Sequence, residues 1–182
     1  MTTIVGLVKG DTVVLGADAQ VTDQNRRHKH KYMEKITKNN GYLIAGSGDT
    51  QACDILQHIF VPPTPTANER KNLYKFMITK FVPAMRECLD ENDYKTDPSD
   101  KESGFSMLIA YDGELFDIGD DFSVILNDDG IYGVGVGFAY AVGALYAGAT
   151  VEEALEIAAK NDIYTCAPFQ VVKQKKRQPK NS

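Results

Sequence analysis

Cysteine and histidine are both scarce, with three residues of each in a chain of 182. Three cysteines cannot form a complete set of disulfides, and this odd count predicts a reducing compartment. His28 and His30 lie close together but have no cysteine or carboxylate at ligand spacing, so we expect no metal site and no cofactor. The formal net charge of −5, with both signs spread along the chain, does not favour binding to nucleic acid.

The sequence also has no positively charged leader followed by an apolar segment, so the cytoplasm is the expected location. Residues 131–151 carry no charge and are long enough to span a bilayer, yet they contain five glycines. We therefore interpret them as a buried strand, a turn and a helix, and we expect no membrane association. The same glycines suggest a dinucleotide-binding turn, but the third glycine or alanine of that motif is missing.

Hydrophobic residues make up 43% of the sequence, enough for the core of one domain, which we assign to residues 1–172. Residues 173–182 are then a basic tail that we expect to be solvated. The charged residues 23–31 are predicted to form a solvated loop.

Runs of β-branched residues separated by turn signals predict a series of hairpins. The predicted strands are Thr3–Val8, Thr12–Ala17, Lys35–Thr37, Tyr42–Ala45, Ser106–Tyr111, Glu114–Asp117, Val124–Leu126, Ile131–Val134 and a last strand at Phe169–Val172. Strands that are grouped apart from helices favour an α+β fold with two sheets face to face and helices outside them.

Helices are predicted between these groups. Asp49 is placed to cap a helix that continues to about Phe60. Its apolar face is formed by Ala52, Ile55, Leu56 and Ile59. A second helix from Glu69 to about Leu89 is expected to kink before Pro83. Thr150-Val151-Glu152-Glu153 is a capping-box signature for a helix that ends near Asp162.

The sequence begins Met1-Thr2-Thr3, which places a candidate threonine nucleophile directly after the first methionine. Removal of Met1 would leave an α-amine and a hydroxyl on Thr2, and the amine can act as the base that a threonine nucleophile needs. An α-amine has a reference pKa of about 7.7–8.0, well below that of lysine, so part of it is neutral at pH 7. The alternative is that both threonines are ordinary strand formers.

Five motifs in order make the chain resemble the proteasome β-subunits and bacterial HslV, which are threonine peptidases of the N-terminal nucleophile hydrolase class. They are Thr2-Thr3-Ile4-Val5-Gly6, Gly16-Ala17-Asp18 with Val21-Thr22, Lys35-Ile36, Ile44-Ala45-Gly46-Ser47-Gly48-Asp49, and Gly135-Val136-Gly137-Phe138-Ala139-Tyr140-Ala141 with Asp162-Ile163-Tyr164-Thr165. The resemblance spans nearly the whole chain and implies a four-layer αββα sandwich. The choice between the two families stays open.

The resemblance also implies roles for individual residues. Thr2 would be the nucleophile, Lys35 the cation beside it, and Asp18 the partner that keeps Lys35 charged. The backbone N–H of Gly46 would bind the oxyanion. The remaining implied positions are Asp162 and Thr165, which would orient the amine of the nucleophile, and Thr22, Ile44 and Gly46, which would bind substrate. Lys31 and Lys38 are fallback candidates for the cation, because the loop before Gly46 is short.

One departure from the family supports a second hypothesis. Val136 stands where proteasome subunits carry a serine, so a hydroxyl expected beside the nucleophile is absent. The competing hypothesis is therefore a catalytically silent relative that keeps the fold for a structural or assembly role. A cysteine hydrolase that uses Cys166 with His58 is a third, weaker interpretation, because it rests on residue types alone.

The resemblance implies partners as well. Both families form stacked homo-oligomeric rings around a chamber and depend on an ATPase ring that delivers unfolded protein. Peptides or unfolded protein are then the expected substrates. Neither the ring size nor the ATPase can be read from the residues.

Overall fold

The computed structural model describes residues 1–23, 26–28, 34–94 and 104–177, with only the backbone of residues 22, 23, 26 and 27. The strands are β1 (Thr3–Lys9), β2 (Thr12–Ala17), β3 (Val21–Asp23), β4 (Arg26–His28), β5 (Ile36–Asn39), β6 (Tyr42–Gly48), β7 (Phe105–Tyr111), β8 (Glu114–Gly119), β9 (Val124–Ile125), β10 (Ile131–Gly135) and β11 (Gln170–Lys175). The α-helices are α1 (Thr50–Asp54), α2 (Leu73–Phe76), α3 (Val82–Glu91), α4 (Phe138–Tyr146) and α5 (Val151–Asn161).

Two antiparallel sheets form the centre of the molecule. The first sheet has the strand order β10-β1-β2-β11, and the second has the order β5-β6-β7-β8-β9. Their facing sides enclose a shared apolar layer with residues from both sheets, among them Leu15 and Leu108. A face-to-face pair of sheets can bury such a layer because alternate side chains of each strand point inward.

Helices cover the outer side of each sheet. Val5 packs with Ala154 and Leu155 of α5 outside the first sheet, and Tyr42 packs with Phe81 and Met85 outside the second. Gly16 allows close contact on the α5 side, since a Cβ there would collide with Val151. The order helix, sheet, sheet, helix confirms the predicted α+β, four-layer αββα sandwich.

Three of the predicted hairpins, β1–β2, β5–β6 and β7–β8, are confirmed. The hairpin predicted for Val124–Leu126 and Ile131–Val134 is not formed, because β9 pairs with β8 in the second sheet and β10 pairs with β1 in the first. Asn40 and Gly41 both have positive φ, 47° and 84°, between β5 and β6. Asp112 and Gly113 repeat this pattern between β7 and β8. Such a pair is typical of tight hairpin turns, and Asn, Asp and Gly tolerate this conformation best.

Two helix caps are also as predicted. The side chain of Asp49 accepts hydrogen bonds from the backbone of Gln51 and Ala52. Thr150 and Glu153 form the reciprocal capping box at the start of α5. The uncharged stretch 131–151 folds as β10, a turn and α4. In the described part of the chain, no helix has both the length and the apolar character needed to cross a membrane.

Four further details differ from the sequence-based expectations. Residues 21–28 contain the short paired strands β3 and β4 where a loop was predicted. β11 continues beside β2 to Lys175, three residues beyond the end of the predicted last strand. A five-residue π-helical segment precedes Val82 at the predicted kink. Another, Ile55–Ile59, follows α1 and shifts the apolar face, so that Ile59 is 54% exposed and Phe60 is buried instead.

Asp117 in β8 gives the fold a pH dependence that can be measured. Burial, with a smaller contribution from Asp121, raises the pKa of its carboxyl to about 6. The folded chain therefore binds more protons than the unfolded chain between pH 4 and 6, and stability falls as pH rises through this window. We expect Asp117→Asn to remove that fall and to stabilise the protein at pH 7 by about 1 kcal/mol, after allowance for solvent screening.

Urea unfolding at pH 4.5 and pH 7 measures this effect. Asp128→Asn, at an exposed turn, is the control. Its free energy of unfolding should change between pH 4.5 and pH 7 by as much as that of the wild type. The prediction would be contradicted if the unfolding free energy of Asp117→Asn changed between the two pH values as much as that of the wild type.

Candidate active site

A cleft of about 960 Å³ opens where β1 begins and β6 meets the first helix. Thr2, Lys35 and Gly46, three of the residues predicted for the site, all line it. The other described lining residues are Val21, Glu34, Ser47, Gly48, Thr50, Gln51, Cys53, Asp54, Ile55, Gln57, His58, Ile59 and Asn92. The sandwich therefore brings the chain start to residues that are 33 and 44 positions away in sequence.

A buried ion pair lies at the base of this region. Nζ of Lys35 donates to Oδ1 of Asp18 at 2.7 Å and to the carbonyl oxygen of Gln20 at 2.6 Å. Asp18 directly follows β2, and its carboxylate also accepts from the backbone N–H groups of Thr3 and Gln20. These N–H donors hold the carboxylate of Asp18 in place facing Lys35.

The charge of Lys35 affects the pKa of the α-amine at the start of the chain. Burial lowers the pKa of the Lys35 ammonium, and Asp18 opposes this shift. Burial also lowers the pKa of the Met1 α-amine, Lys35 lowers it further, and Asp18 raises it. An amine in this position loses its proton more easily than an exposed one, as a general base requires.

The backbone of Thr2 is fixed by the neighbouring strand. The carbonyl oxygen of Thr2 accepts from the N–H of Val136 at 2.8 Å, next to the pairing of Thr3 with Gly135. Thr2 is only 8% exposed, whereas half of Met1 is exposed. The side chain of Val136 is 51% exposed and brings no hydroxyl to the site.

Gly46 lies in β6 opposite the start of β5. Its N–H points to the carbonyl oxygen of Lys35 at 3.4 Å, longer than the usual range for a backbone hydrogen bond. A Cβ at this position would collide with Sγ of Cys53 and with Met107. Glycine fits at this position without such a collision, and its weakly hydrogen-bonded N–H lies at the wall of the cleft.

The side chains of Asp162 and Thr165 are hydrogen-bonded to each other, and the hydroxyl of Thr165 also contacts the hydroxyl of Thr3. The hydroxyl of Thr165 donates to Oδ2 of Asp162 at 2.5 Å, so the hydroxyl of Thr3, 2.5 Å away, donates to Thr165. Thr3 is fully buried, and this chain of hydroxyls joins β1 to the end of α5. These hydrogen bonds fix the strand behind Thr2.

Gly137 permits this cluster, because a Cβ there would lie among the oxygens of Thr3, Thr165 and Asp162. We expect Gly137→Ala to lower the free energy of unfolding by about 1–3 kcal/mol, the usual cost of an overpacked site. Gly143→Ala is the matched control, since α4 has open space at that position. It should stabilise the helix by about 0.5–1 kcal/mol. Thermal unfolding of both variants tests this, and equal shifts would contradict it.

Ile44 and Lys38, whose side chains are described, do not line the cleft. Thr22 lies in β3, and its side chain is outside the described part, as is Lys31. Ile44 is 1% exposed and packs in the apolar layer beneath the helices, and it is not a lining residue. Lys38 is exposed, and His58 lines the cleft without Cys166. The described residues contain no group of three or more histidine, cysteine or acidic side chains that could hold a metal ion.

Two contributors were missed by the sequence analysis. The carbonyl of Gln20 is a partner of Lys35, but a backbone group leaves no mark in the residue type. The side chain of Gln57 donates to the carbonyl of Lys35 at 2.8 Å and to that of Ile44 at 3.1 Å. The only sequence feature that points to Gln57 is its position directly after Ile55 and Leu56 of the predicted apolar helix face.

Comparisons with known proteins agree with this architecture. No model of a known protein family matches the sequence. Among solved structures, Thiobacillus denitrificans BPH in complex with epoxomicin has 20% identity and a TM-score of 0.73, covering 97% of this chain and 100% of that chain. BPH without that ligand gives 19% identity and the same TM-score, covering 98% and 100%. HslV from Trypanosoma brucei has 26% identity and a TM-score of 0.66, covering 96% and 99%.

Proposed function

Because the chain has a proteasome β-subunit/HslV-like fold, we propose that it is a threonine endopeptidase whose nucleophile is the hydroxyl of Thr2 after removal of Met1. The observation that carries this proposal is the convergence of Thr2, the buried Lys35–Asp18 pair and the N–H of Gly46 at one cleft. A nucleophile, a charged group beside it and an oxyanion donor are the parts that acyl transfer needs.

The proposed reaction has two stages. The amine of Thr2 takes the proton of its own hydroxyl while Oγ1 attacks the peptide carbonyl, and it then passes that proton to the leaving amine as the peptide bond breaks. A water molecule next attacks the resulting ester, and the acyl group leaves as a carboxylic acid while Thr2 recovers its proton. No metal or cofactor is part of either stage.

Lys35 and Gly46 have separate roles in this scheme. The ammonium of Lys35 lowers the pKa of a nearby amine, so more of that amine is neutral and ready to accept a proton. The N–H of Gly46 binds the carbonyl oxygen as negative charge develops on it. Asp18 holds Lys35 in place at 2.7 Å and compensates its burial.

Covalent labelling tests the proposal. The BPH neighbour is solved with epoxomicin, so epoxomicin and a second threonine-directed inhibitor are suitable probes. We expect intact-mass measurement to show loss of Met1 and one inhibitor adduct per chain, mapped to Thr2. Active material that fully retains Met1 would overturn the mechanism, since the required amine would then be part of a peptide bond.

The catalytically silent relative remains the second candidate, and the side chain of Val136 favours it. It is a half-exposed apolar group beside the carbonyl of Thr2. Such a group cannot relay a proton or hold a water molecule. A folded protein that loses Met1 but forms no adduct with either inhibitor would support this alternative.

The proposal extends to assembly. We propose stacked homo-oligomeric rings in the cytoplasm, with an ATPase ring that supplies unfolded protein. The likeness to HslV across 96% of the chain supports a ring-forming assembly. Particle symmetry from electron microscopy, measured with the intact mass, tests this part separately from the chemistry.

A further inference from the structure

The side chain of Gln57 joins the first helical segment to the strands that carry the proposed active site. Gln57 belongs to the π-helical segment Ile55–Ile59, in which it is only 7% exposed while the next two residues are exposed. Its amide nitrogen donates to the carbonyl oxygens of Lys35 and Ile44. Both protons of the amide are therefore directed at backbone carbonyls of the β5–β6 hairpin region.

The carbonyl oxygen of Lys35 receives two donors of unequal strength. The amide of Gln57 lies at 2.8 Å from this oxygen, and the N–H of Gly46 lies at 3.4 Å. A hydrogen bond of 2.8 Å is within the normal range, whereas one of 3.4 Å is weak. Gln57 therefore satisfies the carbonyl that Gly46 would otherwise have to satisfy.

We propose that Gln57 is a positioning residue that keeps the N–H of Gly46 available for substrate by occupying the carbonyl oxygen of Lys35. This inference rests on the proposed function, in which that N–H binds the oxyanion. An N–H in a normal strand pair would have to break its bond before it could bind an oxyanion. A preorganised donor has no such bond to break at the moment of reaction.

The π-helical segment is what brings Gln57 to this position. Its wider turn, closed by the hydrogen bond from the N–H of Phe60 to the carbonyl of Ile55, adds one residue to the helical repeat. A regular helix would have buried Ile59 and turned the polar side chain outward. Such single π turns occur frequently at functional sites.

Gln57→Met tests the proposal, because methionine has a similar length but no donor. Without the amide, the carbonyl of Lys35 should draw the N–H of Gly46 closer. We expect hydrogen exchange at Gly46, resolved by fragmentation in a mass spectrometer, to slow by about tenfold. With a peptide substrate, kcat should fall roughly 10- to 100-fold while KM changes less than about twofold.

Gln174→Met is the matched control. Gln174 also donates from its side chain to backbone carbonyls, those of Gly41 and Ala110, but it lies on β11 and does not line the cleft. It should leave kcat and the exchange of Gly46 at wild-type values. Gln57→Leu provides a second variant in case methionine impairs folding, because it removes the amide and adds no other donor.

The two readouts separate this inference from the proposed function. Unchanged or faster exchange at Gly46 in folded Gln57→Met and Gln57→Leu would overturn the positioning role, whatever the activity. A loss that appears only in KM would overturn it as well. Slower exchange in a protein that never cleaves peptides would support the positioning role and count against the peptidase.

Discussion

Thr2→Ala is expected to lower peptide hydrolysis by on the order of 10⁴-fold or more, because in the proposed mechanism the removed Oγ1 forms the acyl intermediate. The fold should be little affected. The carbonyl oxygen of Thr2 accepts from the N–H of Val136, and the substitution keeps this backbone contact. The measurement is the rate of cleavage of a fluorogenic peptide, with circular dichroism as a check on folding.

Two further substitutions make this result specific. Thr2→Ser keeps a hydroxyl and an amine on one residue and should retain measurable activity. Thr79→Ala removes an exposed threonine hydroxyl outside the cleft and should leave the rate unchanged. Activity of Thr2→Ala within tenfold of wild type would show that the reaction uses another nucleophile.

Lys35→Met is expected to lower both stability and activity. It leaves the carboxylate of Asp18 buried without its cation, which typically costs about 3–5 kcal/mol of unfolding free energy. It also removes the charge that, in the proposed mechanism, favours the neutral form of the Thr2 amine, so the rate at pH 7 should fall even in folded protein. Urea unfolding and peptide cleavage measure the two effects.

The double variant Asp18→Asn with Lys35→Met separates the two effects. Removing both charges should recover part of the lost stability, because no unpaired buried ion remains. Activity should not recover, since the cation is still absent. If stability and activity recovered together, Lys35 would have only a structural role.

Most of the fold follows from local sequence signals. The Asn40-Gly41 turn, the Asp49 cap and the Thr150–Glu153 capping box each act within a few residues, so the sequence predicted them correctly. The π-helical segments could not be predicted in this way. They depend on which side chains the second sheet accepts, and that is decided by packing between distant parts of the chain.

Some residues of the candidate site could be predicted from the sequence, and others could not. Thr2, Lys35 and Gly46 were found through resemblance to a family, and the cleft brings them together. Ile44 was expected in the cleft but packs beneath the helices, because alternate residues of β6 face opposite layers. Gln57 had no signal in the sequence, because its importance arises from two backbone carbonyls rather than from another side chain.

The strand order of the first sheet has a consequence for the timing of synthesis. β1 and β2 are flanked by β10 and β11, which come from the last third of the chain. Contacts between such distant segments form slowly, and on a ribosome they must wait until residues 131–175 have emerged. A nascent chain therefore carries its first threonines in an unfinished sheet, and the proposed peptidase activity could not begin until β10 and β11 have been added.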